Sequence, residues 1–289
     1  MGGRIARVGS SEGVQYNPNV LRTRYLPDTD RLSVLAATIL LAYALARFIN
    51  LPGWELTAQL PGFYLSVQLN THTFVALLVA GLTATGADWL LRDHPALAGR
   101  STLEHWLLPA LTALVIGLPL FQTPLSLRWW IGFFLGGILL VLVLVAEYIA
   151  VDPQDIRQPI AAAGLTAVSF ALFLALIVSL RFAGIRLWQM LPAVTFAVGL
   201  VSLRTLHLRL HGRWLYLQAG VAAVTIGQLA AALHYWPLSP VVFGLALLGP
   251  AYALTSLLGG LAEGKRFQQA SIEPGLVLLL VWGAALLVH

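Results

Sequence analysis

Residues 129–149 read WWIGFFLGGILLVLVLVAEYI, a run whose one charged side chain, Glu147, stands near its end. A helix rises about 1.5 Å per residue, so a run of this length covers the ~30 Å hydrocarbon core of a bilayer. Such a segment reads as a transmembrane helix, and it sets the reading of everything around it. Runs of the same kind lie at 32–49, 73–91 and 106–121 before it, and at 160–180, 187–203, 214–233, 241–261 and 272–288 after it. The expected fold is therefore all-α: a polytopic transmembrane helix bundle of about nine spans. It comprises a cytoplasmic tail (1–31) and a single helical membrane domain (32–289).

Composition agrees. Of the 289 residues 58% are hydrophobic and only 10% charged, and the mean hydropathy is +0.82. A soluble domain carries about 25% charged residues, so this chain lacks the polar exterior that a water-exposed core requires. The net charge of +5 is spread in small groups at the ends of apolar runs, with no basic stripe or aromatic platform. Membrane lipids, not nucleic acid, are the expected partners, with other membrane-protein subunits as a further option. With no cysteine, thiolate chemistry and Cys-ligated metals are excluded. The first thirty residues carry Arg4, Arg7, Arg22 and Arg24 without an early apolar core, and do not read as a cleaved signal peptide.

Lys and Arg are retained in cytoplasmic loops. With nine spans and the N-terminus inside, the cytoplasmic segments hold 13 basic residues: Arg4, Arg7, Arg22, Arg24, Arg31, Arg92, Arg100, Arg157, Arg204, Arg209, Arg213, Lys265 and Arg266. The outer side holds 4: Arg47, Arg128, Arg181 and Arg186. Dropping one span would reverse every later loop and spoil the asymmetry. The expectation is a multi-pass protein of the cell (cytoplasmic) membrane, with its N-terminus in the cytoplasm and its C-terminus outside. Trp129, Trp130 and Trp214 stand at span ends, where an interfacial aromatic belt is expected.

Local signals refine the ends. Ser101 and Glu104 have capping-box spacing. Asp152-Pro153 with Asp155 predicts a helix start near residue 153, and Ser239-Pro240 predicts another. Between the first two spans, residues 54–69 alternate polar and apolar about Pro61-Gly62, a β-hairpin pattern in the first outer loop. A brace against the helix ends is preferred for it over a lid. Ala80, Ala84 and Asp88, with Gly81 and Thr85 beside them, and Gly132 and Gly136 supply small-residue packing faces. At about 100° per residue Glu147 falls within about 20° of Gly136. Residues 80–84 recur at 163–167 and 108–112 at 191–195, an offset of 83 residues that suits an inverted repeat but is read as coincidence in helices this rich in Leu and Ala.

No charge sits near a span centre, which argues against a coupled ion transporter. The cytoplasmic rim is the most polar region. Asp88, Glu147 and His105 are the candidate catalytic residues, as a carboxylate or imidazole base acting on a lipid head group. Arg92, Arg204, His207, His211 and Arg213 are candidates for binding the head group itself. His207 and His211 share a helix face, but the Arg residues around them would repel a cation, so no metal and no cofactor is expected. Asp88 and Arg92 also fit a plain i, i+4 ion pair. No acid-repeat pattern of prenyl or phospho-alcohol transferases is present.

The hairpin segment, the run Gly86-Ala87-Asp88-Trp89-Leu90-Leu91-Arg92 and the pair His105-Trp106 ahead of Pro109 resemble an uncharacterised family of bacterial multi-pass membrane proteins. That resemblance implies a membrane location and no activity. The reading is of a non-enzymatic membrane protein, either an assembly component or a carrier of apolar or lipidic cargo. An enzyme acting on lipid head groups is the alternative, and a coupled ion transporter comes third.

Overall fold

The computed structural model describes residues 27–46, 48, 54–60, 63–69, 71–92, 94–97, 102–210 and 212–287. Several expectations fall outside those residues: the tail arginines Arg4, Arg7, Arg22 and Arg24, as well as Arg47, the Pro61-Gly62 turn, Arg100, Ser101 and His211.

Among the described residues, nine helices are long and apolar enough to cross a membrane. They are α1 (Thr29–Ala46), α2 (Thr71–Leu91), α3 (Leu103–Gln122), α4 (Leu127–Ala150), α5 (Gln158–Phe182), α6 (Leu187–Arg209), α7 (Tyr216–His234), α8 (Pro240–Ala262) and α9 (Phe267–Leu287). Between α1 and α2, strands β1 (Trp54–Leu60) and β2 (Phe63–Leu69) pair antiparallel with Thr57 opposite Ser66. The chain is a multi-pass helical membrane protein.

Two apolar clusters hold the bundle. One joins α1 to α4 through Leu35, Ile39, Val79, Leu91, Leu140 and Leu144. The other runs from α3 to α8 through Leu108, Leu165, Phe173, Val194, Val198 and Phe243. Helices α3 and α4 contribute to both. In lipid, apolar surface alone gives little drive for helix association, so close approach and interhelical hydrogen bonds matter more. Gly136 on α4 supplies such an approach: a Cβ there would stand 2.6 Å from Ile116 of α3. Gly244 on α8 does the same toward α5, at 2.8 Å from Leu174 and 2.9 Å from Val178. Buried Ser202 of α6 and Thr255 of α8 share a hydroxyl–hydroxyl bond of 2.8 Å.

Two helix carbonyls left open by proline find indole donors. Pro124 cannot donate to Leu120, four residues earlier, and the Trp129 indole N–H bonds the Leu120 oxygen at 3.1 Å. Trp129 is therefore buried at 3% exposure, not part of an interfacial belt, whereas Trp130 is 48% exposed. On α8, Pro250 frees the Ala246 oxygen, and Trp282 of α9 donates to it at 3.4 Å.

Several expected ends are corrected. Helix α5 starts at Gln158, not near 153. Asp152 and Asp155 instead accept from the backbone N–H of Gln154 (2.9 Å) and Arg157 (2.8 Å), closing local turns ahead of the helix. Ser239 does cap α8, accepting from Val242 N at 3.3 Å. Thr102 stands at the N-cap of α3 with no side-chain cap bond; its hydroxyl donates to Asp88 and accepts from the Trp106 indole. The most consequential change is α6, which continues to Arg209, well past the apolar run that ends at 203. Two of the expected packing residues, Gly81 and Thr85, are exposed; Gly81 and its echo Gly164 both face open space, so neither glycine supplies a close helix approach.

Candidate functional site

At one end of the bundle α3 begins while α2, α4 and α6 end, and their polar residues converge there. The extra turns of α6 carry Arg204 and His207 back into the helix core, at 2% and 5% exposure. An arginine enclosed to that degree must be paired, since an unpaired charge in low dielectric costs several kcal/mol. Its partner is Glu147 of α4, whose Oε2 accepts from Arg204 Nη2; both side chains are 1% exposed. The same oxygen lies 2.8 Å from His105 Nδ1, and Arg204 Nη2 is 3.3 Å from that nitrogen. Two donors thus share one carboxylate oxygen. His105 Nε2 meets Glu104 Oε1 at 3.3 Å, and the other oxygen of Glu104 meets His207 Nε2 at 2.7 Å.

The result is one chain of contacts: Arg204, Glu147, His105, Glu104 and His207, drawn from three helices. Its last ring lies 4.3 Å from the indole of Trp214. Glu104 is the member nearest the surface, its side chain 30% exposed. Glu147 Oε1, Arg204 Nε and Nη1, and His207 Nδ1 make no hydrogen bond within the described protein. Both nitrogens of His105 are engaged, so it has no free position from which to take a substrate proton.

Asp88 stands outside this network. Its Oδ1 accepts from Thr102 Oγ1, and Oδ2 accepts from Arg92 Nε at 2.8 Å. Trp106 Nε1 in turn donates to Thr102 at 3.0 Å. The Arg92 side chain is 71% exposed, so the pair sits at the rim. Of the expected head-group residues, Arg92 and Arg213 are exposed. Arg204 and His207 are enclosed by protein, a correction that follows from the length of α6. Nearby, burial lowers the pKa of His94; its Nδ1 accepts from Ala96 N at 3.1 Å and its ring meets Tyr148 edge-on at 4.5 Å.

A third polar group joins α6 to α8. Arg209 donates through Nε and Nη2 to the two oxygens of Glu263, and through Nη1 to the carbonyl and hydroxyl of Ser256, each at 3.2 Å. Glu263 is presented by the turn after α8, where Lys265 N bonds Gly260 O at 3.1 Å and Gly264 N bonds Leu261 O at 3.0 Å. Gly264 has φ +82° there, a left-handed position that suits glycine. The Arg209 hydrogen bonds, and after them Lys265, hold the Glu263 carboxyl below its ordinary range. Sequence reading did not foresee this clamp, because its members belong to different spans.

Among the described residues no group of three or more His, Asp or Glu is placed to hold a metal ion. Cavities are more informative. A groove of about 720 Å³ lies between α2, α3, α5 and α6, with walls that include Ala80, Leu107, Leu111, Leu114, Phe196 and Leu200. Every lining residue is apolar. The α3 wall residues Leu107 and Leu111 lie three and seven positions after Glu104. On α6, Arg204 and His207 follow Leu200 by four and seven. Those spacings place the polar residues on the groove-lining faces, one or two turns nearer the ionised end.

The profile of a family described as "Protein of unknown function (DUF5656)" matches residues 51–288, and the chain belongs to that family. No curated protein and no solved structure matches it.

Proposed function

We propose that this member of the DUF5656 family is a non-enzymatic membrane protein that holds a lipidic cargo. The cargo's hydrocarbon chain would lie in the α2–α3–α5–α6 groove, and its polar head would meet Glu104 and His207 at the end of that groove. One observation carries the reading: the all-apolar groove of about 720 Å³ is built on the same faces of α3 and α6 that bear the Glu104–His207 pair. Sites for small amphiphiles are mostly apolar, with a few placed polar groups that fix orientation. In this reading the ionised end lies in the cytoplasm, as the distribution of basic residues implies, the protein occupies the cell membrane, and β1 and β2 brace the outer ends of the helices.

An enzyme acting on head groups is the weaker alternative. Its best base, His105, is fixed between Glu147 and Glu104, and Asp88 is held by Thr102 and Arg92. Such a network positions α3, α4 and α6 and binds, rather than exchanging protons with a substrate.

The test is extraction of the protein from native membranes, followed by mass spectrometry of bound lipids, beside an Ala110→Trp variant whose indole would fill the groove from the α3 wall. One lipid enriched at least about tenfold over the bulk membrane, and lost in the variant, supports a carrier. A lipid content matching the bulk membrane in both proteins, with a stoichiometric protein partner, would replace the carrier reading with an assembly role.

A further inference from the structure

A second cavity, of about 460 Å³, lies between α5, α6, α8 and α9, on a different face of α6 from the groove and nearer its C-terminal end. Its apolar wall includes Ala163, Phe170 and Leu208; its polar wall includes Thr205, Tyr252 and Glu273. Phe170 and Tyr252 meet edge to face, with ring centroids 5.2 Å apart and planes at 70°. The Tyr252 hydroxyl donates to Glu273 Oε1 at 2.8 Å. Thr205 is 9% exposed, and its hydroxyl has no hydrogen-bond partner among the described residues.

Glu273 is the seventh residue of α9, about 9 Å along the axis from the start of the helix. A carboxylate at that depth in a membrane-spanning helix is costly unless it faces a cation or a polar cavity. The cation in the cavity wall is Arg209, and its guanidinium already carries the two oxygens of Glu263 and both acceptors of Ser256. The cavity therefore offers a carboxylate, a hydroxyl and two aromatic rings, and the one cation in its lining, Arg209, is already charge-paired with Glu263.

We propose that this cavity binds an organic ammonium, the amine head of an amphiphile. Glu273 is the counter-ion, the Thr205 oxygen accepts one ammonium N–H, and Phe170 and Tyr252 form the aromatic wall that favours a cation. An anionic head is disfavoured, because the charge of Arg209 is balanced by Glu263 while the Glu273 carboxylate is met by the neutral Tyr252 hydroxyl. A metal ion is disfavoured because the wall supplies a single carboxylate and no imidazole. A primary-amine membrane lipid and a free lipophilic amine both carry such a head; the chemistry recognised is the same.

The experiment uses the full chain in maltoside micelles, with n-octylammonium, 1-octanol and octyl sulfate as probes and binding read by native mass spectrometry. Octylammonium is expected to bind at least about tenfold more tightly than either of the others, a difference of about 1.4 kcal/mol. Glu273→Gln is expected to abolish that preference, and Thr205→Val to weaken octylammonium binding about threefold. Equal binding of the three probes overturns the proposal. So does unchanged octylammonium affinity in Thr205→Val, a substitution that breaks no hydrogen bond of the fold and stays informative even if Glu273→Gln fails to fold. The source is then assigned by competition. Displacement by phosphatidylethanolamine but not phosphatidylcholine identifies a membrane lipid, and displacement by neither identifies a free amine; both results sustain the site.

Discussion

Glu147 and Arg204 are each 1% exposed, so neither charge has water to fall back on. Replacing Glu147 with Gln leaves the Arg204 cation enclosed without its counter-ion, an expected loss of about 3–5 kcal/mol. The joint change Glu147→Leu with Arg204→Met removes both charges and should recover most of that loss. Unfolding followed by circular dichroism in micelles checks both, and equal melting of the single and double variants would contradict the pairing. His94 supplies a pH effect at the same scale. Burial lowers its pKa from the ordinary 6.5, against the opposing pull of Asp152 and Asp155 and alongside the repulsion of His105. The folded state thus favours the neutral ring, whose Nδ1 accepts from Ala96 N. The sign follows: this stabilisation is complete above pH 6.5 and is lost as pH falls through the folded-state pKa. The melting temperature should drop between about pH 7 and about pH 5, with a shallower slope in His94→Phe, which keeps a ring against Tyr148.

Among the helices, α6 and α8 do most of the organising. Half of α6's apolar window is buried inside the protein, against 17% for α9, which makes α6 the inner wall of both cavities and α9 a cover resting on α8. The α5–α8 seam depends on Gly244, where a Cβ would lie 2.8 Å from Leu174 and 2.9 Å from Val178. Gly244→Leu should therefore separate the two helices at a cost of about 1–3 kcal/mol. Gly275→Leu is the control, since nothing lies within 4 Å of a Cβ there. If the two variants melt together, α5 and α8 do not rely on close approach at this point. The ends of these helices were the least legible part of the sequence. Hydropathy stopped α6 at residue 203, because Arg204, His207 and Arg209 look like a polar loop. Pairing of those side chains with Glu147, Glu104 and Glu263 lets the helix continue to Arg209.

For the whole molecule the open quantity is orientation. With no cysteine in the chain, single-cysteine variants carry an unambiguous label. Ser126→Cys, between α3 and α4, should react with a membrane-impermeant maleimide added outside intact cells. Lys265→Cys, between α8 and α9, should react only after permeabilisation. The reverse pattern would invert the assignment of the ionised end to the cytoplasm and move both cavities' polar ends to the other side. The same experiment bears on the cargo reading, which places the polar head at that end.

The sequence by itself determined the number and approximate positions of the spans, because bilayer thickness and helix rise set a length that any apolar run can be measured against. It also singled out Asp88, His105, Glu147, Arg204 and His207 as the polar minority worth following. What it left open was the partners of the last four. Glu147 and Arg204 are 57 residues apart, and no periodicity within either helix states which faces will meet. The i, i+4 spacing already pairs Asp88 with Arg92, but only the tertiary structure decided that Glu147 belongs to a buried chain ending at His207. It also decided that Glu273, which hydropathy places among ordinary span-end residues, faces a cavity whose arginine is already committed elsewhere. The physical reason is common to both cases. In lipid the composition of a helix fixes that it crosses, whereas rotation and close approach, governed by residues such as Gly136 and Gly244, fix what its few polar side chains touch.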